Sequence, residues 1–372
     1  GGYNWQYIFF KYVSPANQVS LPSFNDVHFV TPSVAYAVGN SGVMIKGTKG
    51  GTNWTQITTP LTALSKNING LHFLNKDTGY IAGASINTTN TTNINDAPKI
   101  YVTRNGGTTW DSLVTPFVRQ ETNASLNWNN NKEIFRLHFV NDSVGYASGN
   151  AGSGSSSLLW KIEKNVITDY SLHRSKFGLA SGSYQPATSV YKGLVGITDS
   201  MVLISSLNNG FIVRIRTGKN DSTASAVPAI YGAFVRGTYQ MVAISNTNPT
   251  SPPNLPFALS PMNHMKKAPD GKIFIVNAQT VAFSPDNGTT WTGSYPGVPY
   301  NWWGLLALDI TENGRIIAGG DGGCLYDSLP GTSWRTQYKH IRPIYSIPNL
   351  APGVQTHFTA IDWADYCNGI IV

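Results

Sequence analysis

Apolar and polar positions alternate along this chain in short runs, broken every few residues by Gly, Pro, Asn or Asp, which predicts short strands joined by tight turns rather than helices. One apolar strand ending in small residues recurs: "YAVG" (36–39), "YIAG" (80–83), "YASG" (146–149), "VLIS" (202–205), "VAIS" (242–245), "IFIV" (273–276), "IIAG" (316–319) and "GIIV" (369–372). Most copies follow a second apolar strand and a turn, as in "DVHFVTPSVAYAVG", "GLHFLNKDTGYIAG" and "RLHFVNDSVGYASG". Several lead into a third strand, a Gly-rich turn and a Trp: "VMIKGTKGGTNW", "KIYVTRNGGTTW", "TVAFSPDNGTTW" and "CLYDSLPGTSW".

The unit is strand A, turn, strand B, loop, strand C, Gly turn, strand D. Four-stranded antiparallel units repeated this often predict an all-β fold, a β-propeller with the units as radial blades. The repeats count to eight, or seven if 229–260, which has no recognisable strand D or Trp turn, is an insertion. The small residues late in strand B suit close packing of neighbouring sheets near the axis. Residues 357–372 supply strands A and B and then stop, while "GYNWQYIFFKYV" (2–13) supplies a Gly turn and a strand D with nothing before it. Pairing residues 5–12 with 358–372 would close the ring and remove its free edges. The whole of 1–372 then reads as one propeller domain, and the missing strand C reads as a sign of a longer chain.

Composition narrows the function classes. Charged residues make up 12% of the chain, so few side chains are left for polyelectrolyte or multi-carboxylate chemistry. The net charge is +7, but no Lys/Arg run exceeds two residues, which argues against nucleic acid. No apolar run reaches the roughly 18–20 residues of a membrane helix. Cys324 and Cys367 are too few for a disulfide framework, although they could pair. Abundant Asn, Thr and Ser with few charges fit an extracellular or cell-surface location.

The turn "SPDNGTTW" matches the Asp-box pattern Ser-x-Asp-x-Gly-x-Thr-Trp at Ser284, Asp286, Gly288 and Trp291. The other copies keep Trp54, Trp110 and Trp334, and Trp5 in the first segment, but carry Lys49, Asn105 and Leu329 where the Asp belongs. The longer "HFV", "D-x-x-G-Y-A-x-G", "GG-T-x-W" pattern resembles the Asp-box propellers of the photosystem II assembly and stability-factor type, which include secreted bacterial proteins. The resemblance is closest over the first two units and near Asp286 and Trp334, and faint over 165–265. It implies an Asp that accepts hydrogen bonds from its own turn and a Trp between adjacent blades. It implies little about activity, because function resides in sites grafted on a fold. Five Asp-Ser triplets, at Asp111, Asp142, Asp199, Asp221 and Asp327, are similar to the O-glycosylation sequon of secreted Bacteroidota proteins, and Asp-Ser is equally an ordinary turn pair.

In a propeller the A–B and C–D turns share one face, and the B–C and D–A loops share the other. The A–B and C–D connections read as tight, whereas the long insertions 84–98, 150–157, 246–256, 14–24, 117–131, 173–189, 294–302 and 340–355 all read as loops of the second face. Long loops on a rigid scaffold carry binding sites. On that face Tyr295, Tyr300, Trp302 and Trp128 are candidate aromatic platforms, and Arg119, Arg174 and Arg342 are candidate anion contacts. His28, His72 and His138 recur at one position of strand A, which points to structure rather than to a metal. No cofactor motif, phosphate loop or nucleophile elbow occurs. The reading is a non-catalytic secreted or surface propeller binding a protein or a glycan. A sialidase-like or other Asp-box glycoside hydrolase is the alternative, for which two facing carboxylates would be the mark.

Overall fold

A computed structural model describes residues 12–13, 19–20, 22–85, 98–116, 132–151, 157–171, 191–206, 212–217, 238–242, 262–277, 280–294, 296, 304–320, 325–328, 334–338, 358–364 and 369–372. These residues fold as a β-propeller of antiparallel sheets. In chain order, with strands A to D running outward, the first sheet is Phe24–Thr31, Val34–Gly39, Met44–Thr48 and Asn53–Gln56. The second is Ile68–Phe73, Gly79–Ser85, Pro98–Thr103 and Asp111–Ser112. The third is Lys132–Phe139, Val144–Ala151, Ser157–Glu163 and Val166–Asp169. The fourth is Tyr191–Thr198, Met201–Ser206, Ile212–Arg216 and Thr238–Val242. The fifth is Met262–Lys267, Ile273–Asn277, Val281–Ser284 and Thr292–Ser294. The sixth is Leu305–Ile310, Ile316–Gly320, Leu325–Ser328 and Arg335–Tyr338. The seventh contributes strands A and B, Ile361–Trp363 and Gly369–Ile371.

Among the described residues the strands group as these seven units and a short pair, Tyr12–Val13 with Val19–Ser20, and the second and third units are joined where Glu133 pairs with Ala84. The fifth repeat, "VAIS", was expected to begin a strand B of its own. Instead Val242 ends strand D of the fourth sheet, pairing with Ile212, and Thr238 at its other end pairs with Arg216. An apolar outer strand that follows a long connection looks like the start of a new unit. The expected pairing of residues 5–12 with the C-terminal strands lies outside the described residues apart from Tyr12, whose partner is Ser20.

The repeated letters have a packing reason. The Phe of the second and third "HF" lies face to face with the Tyr of the preceding sheet: Phe73 on Tyr36 at 3.9 Å and Phe139 on Tyr80 at 4.3 Å. Each such pair adds about 0.5–1.5 kcal/mol beyond the area it buries. The same tyrosines reach forward with their hydroxyls, Tyr36 Oη donating to Gly106 O (3.1 Å) and Tyr80 Oη to Asn165 Oδ1 (2.9 Å). The glycine that ends strand B touches its own sheet rather than a neighbour. A Cβ on Gly39 would lie 2.0 Å from Ser23 O, and one on Gly83 would lie 1.9 Å from Asn67 O.

Apolar clusters fill each seam between neighbouring sheets. Tyr36 and Leu71 belong to the first, Phe139 and Ala82 to the second, and Tyr146 and Leu194 to the third. Leu203 with Met265 and Val276 with Leu308 continue the series. Ile317 with Ile361 fills the sixth seam, and Val27 with Ala360 fills the seventh, which returns to the first sheet. The ring is thus sealed by side-chain packing between residues 358–372 and the first sheet.

Candidate functional site

The inner strands present one edge of each sheet to the channel, and the backbone N–H groups on that edge need acceptors. Side chains of the preceding sheet supply them. Asp26 Oδ2 accepts from Leu71 N (3.1 Å), His264 Nδ1 from Leu308 N (3.1 Å), and Asp309 Oδ2 from Trp363 N (2.7 Å). At the closing seam Asp362 Oδ2 accepts from Phe29 N, and Thr359 Oγ1 donates to Phe24 O at 2.7 Å. Carbonyls are met likewise, Asn25 Nδ2 donating to Ile68 O (3.1 Å) and Asn263 Nδ2 to Leu305 O (2.8 Å).

Deeper along the axis Lys266 reaches across from the fifth sheet. Its ammonium lies 2.9 Å from both Asp309 and Asp362, whose side chains are buried. The shared cation holds Asp362 ionised against the burial that would neutralise it, while burial pushes Asp309 upward, and the two carboxylates raise Lys266 well above its usual range. These are two facing carboxylates, the feature a glycosidase would need. Each, however, accepts a backbone N–H and shares one ammonium, so they act as ring fasteners.

His28, His72 and His138 stand in a row along the channel wall, with ring centroids 5.0 and 6.0 Å apart. His28 Nε2 bonds Phe73 O at 3.1 Å, again one sheet forward. Loss of bulk water lowers His72 well below the usual imidazole range and takes His138 down to about 4, with neighbouring charges acting in the same direction. Among the described residues no group of three or more His, Cys, Asp or Glu side chains is placed to hold a metal ion.

Above this belt the channel opens into a cavity of about 240 Å³ lined by Asn25, Asn69, Phe135, Arg136, Lys192, Asn263, Leu306 and Thr359. Six of the eight lining residues lie at the start of a strand A or just before one, and Phe135 and Arg136 lie at the middle of theirs, so the cavity sits toward the face where D–A and B–C connections leave the sheets. Arg136 Nη1 donates to Asn25 O, Asn69 O and Phe135 O at 3.3–3.4 Å, joining three inner strands, while its Nε is buried without a partner. The Lys192 ammonium lies 5.9 Å from the centre of the Phe135 ring. Burial and the adjacent Arg136 guanidinium lower the Lys192 pKa, against a smaller opposing pull from Glu133.

The candidate residues divide sharply. Tyr295, Tyr300, Trp302, Trp128, Arg119, Arg174 and Arg342 lie outside the described residues, as does Trp5. At the turn Ser284–Trp291, Asp286 Oδ1 accepts from Thr289 N (3.1 Å) and Thr290 N (2.8 Å), and Asp286 Oδ2 from Thr290 Oγ1 (2.8 Å). These bonds hold its carboxyl down at about 2. Gly288 has φ +81° and donates to Ser284 Oγ at 2.8 Å. Asn105 makes the same bond to Thr109 N at 2.8 Å, so this altered copy retains the turn. Trp54, Trp110, Trp291 and Trp334 each pack against the preceding sheet. Among the Asp-Ser pairs, Asp327 is buried in an ion pair with Arg315 and Ser328 is buried beside it, so that pair cannot present a glycan on the folded chain.

Residues 218–237 run between strands C and D of the fourth sheet, a class of connection expected to be tight throughout. The insertion 246–256, expected as a B–C loop, runs between strand D of the fourth sheet and strand A of the fifth. Arg136, Lys192 and Lys266 were not singled out from sequence. Their signal is a charged residue inside an otherwise apolar inner strand, as in "IFRLHF" and "YKGLVG".

No protein-family model matches the chain, and no curated protein matches it. Solved structures do. YCF48 bound to D1 peptide shares the fold at a TM-score of 0.57 and 15% identity, over 100% of this chain and 94% of that one. YCF48 from Cyanidioschyzon merolae gives 0.55 and 13%, over 94% and 92%. An extracellular domain from B. thetaiotaomicron gives 0.57 and 11%, over 98% of this chain and 38% of the other. At these identities the likeness establishes the β-propeller architecture and nothing finer.

Proposed function

We propose that this chain is a non-catalytic, secreted or cell-surface binding propeller that holds a segment of a partner protein on its loop-rich face, over the mouth of the channel. The observation that carries this reading is the cavity at that mouth, on the face to which most long connections belong. Supporting it, a similar propeller, YCF48, has a solved structure bound to D1 peptide, and another neighbour is an extracellular domain. The aromatic and basic candidates Tyr295, Tyr300, Trp302, Trp128, Arg119, Arg174 and Arg342 fall in D–A connections along the chain and on this reading would form the rim of that face. Against hydrolysis stands the engagement of Asp309 and Asp362 in the ring itself.

A displayed library of linear peptides, selected on the wild-type chain and on Leu306→Trp, which fills the cavity, tests the proposal. Peptides retained by wild type should bind the filled variant at least tenfold more weakly. Equal binding to both, or enrichment of glycans and not peptides in a parallel array, would overturn it.

A further inference from the structure

The cations at the cavity are offset only from a distance. Among the described residues no carboxylate lies within ion-pair distance of Arg136 or Lys192. Asp26 acts on Arg136 and Glu133 on Lys192 from beyond that range, while Asp26 accepts from the backbone of Val27 and Leu71 and Glu133 from the Asn69 amide at 3.3 Å. Lys266 is neutralised by its two aspartates. The remaining walls are amides, a hydroxyl and two apolar side chains, Asn25, Asn69, Asn263, Thr359, Phe135 and Leu306.

Two cations in the lining of a small cavity otherwise walled by amides suit an oxyanion rather than a neutral ligand. Arg136 disfavours the charged form of Lys192, a cost that an anion between them would relieve. The size points the same way. About 240 Å³ admits one side chain or a small organic acid and falls below the roughly 300–1,000 Å³ of pockets that enclose larger ligands.

We infer that the channel mouth is a carboxylate-binding subsite, in which Lys192 and Arg136 receive one carboxylate while Asn25, Asn69 and Asn263 line its surroundings. The inference rests on the proposed binding face for its setting. The carboxylate comes from an acidic side chain of a bound protein segment or from a free small acid.

Calorimetric titration separates these sources. The probes are citrate and a pair of acetylated, amidated hexapeptides that differ only in one central Glu or Gln, each taken from the selected peptide series. Citrate should bind wild type saturably, compete with the Glu peptide, and lose at least tenfold in Lys192→Met. Tighter binding of the Glu peptide than of its Gln counterpart assigns the site to a side chain, and citrate binding with no such preference assigns it to a free acid. Arg136 also joins three strands, so Arg136→Gln is informative only alongside Lys192→Met, whose folding is checked by circular dichroism. Failure of citrate to bind wild type, together with equal affinity for the Glu and Gln peptides, would overturn the inference and leave the peptide-binding reading standing. Unchanged citrate affinity in Lys192→Met would overturn it as well.

Discussion

Asp286 illustrates how much one side chain does in these turns. It is half-buried, and its two oxygens accept from two backbone N–H groups and one hydroxyl, while a second hydroxyl, that of Ser284, donates to Oδ1 at 2.8 Å. Asn105 occupies the equivalent place and keeps the acceptor at Oδ1, turning its Nδ2 toward Thr109 Oγ1 at 2.8 Å. Asp286→Ala should therefore lower the melting temperature measurably, and Asp286→Asn should lose less than half as much. Because the folded carboxyl lies at about 2, below its unfolded value, its contribution is present above about pH 4 and fades as pH falls toward 2, so the gap between wild type and the Ala variant should narrow there. This turn was legible because Ser, Asp, Gly and Trp sit at fixed offsets within one short stretch. The ability of Asn105 to serve was not, since it depends on which atom of the amide faces the turn.

At the scale of the strand, the "HF" and "GY" repeats stood out because stacking between successive sheets needs an aromatic at the same place in each. "VAIS" misled because an outer strand and an inner strand share the same apolar alternation when the connection before them is long. The histidines of the inner strands give a test at this scale. His72, His138 and His264 are all lowered, so the unfolded chain takes up protons near pH 6.5 that the folded chain refuses until about pH 4 in the case of His138. The three imidazoles lower stability as pH drops through that window, read in urea titrations. Asp26, Glu133 and Asp309, all raised by burial, act in the opposite sense and make the net fall shallower. His138→Gln should therefore lose less stability than wild type between about pH 7 and 4.5, and an equal loss in both would refute the account.

For the molecule as a whole, ring architecture was readable from repetition, while the cavity was not. Its lining residues Asn25 and Thr359 are separated by nearly the whole chain and meet only because the seventh seam closes. The two faces of the ring also predict how it tolerates insertion. A flexible tag placed in the 218–237 connection, on the turn face, should leave peptide affinity within about twofold of wild type. The same tag in 246–256, on the loop face, should weaken it at least tenfold. The reverse pattern, read by the same titration, would place binding on the wrong side of the ring.

The four described tryptophans that follow the Gly turns lean one way. Trp54, Trp110, Trp291 and Trp334 each cover the sheet that comes before their own, like overlapping roof tiles laid in a single sense. A ring laid this way has a polarity even though it has no end. Trimming the Gly turn and outer strand from one of these units would therefore uncover the sheet behind it and leave the sheet ahead still covered.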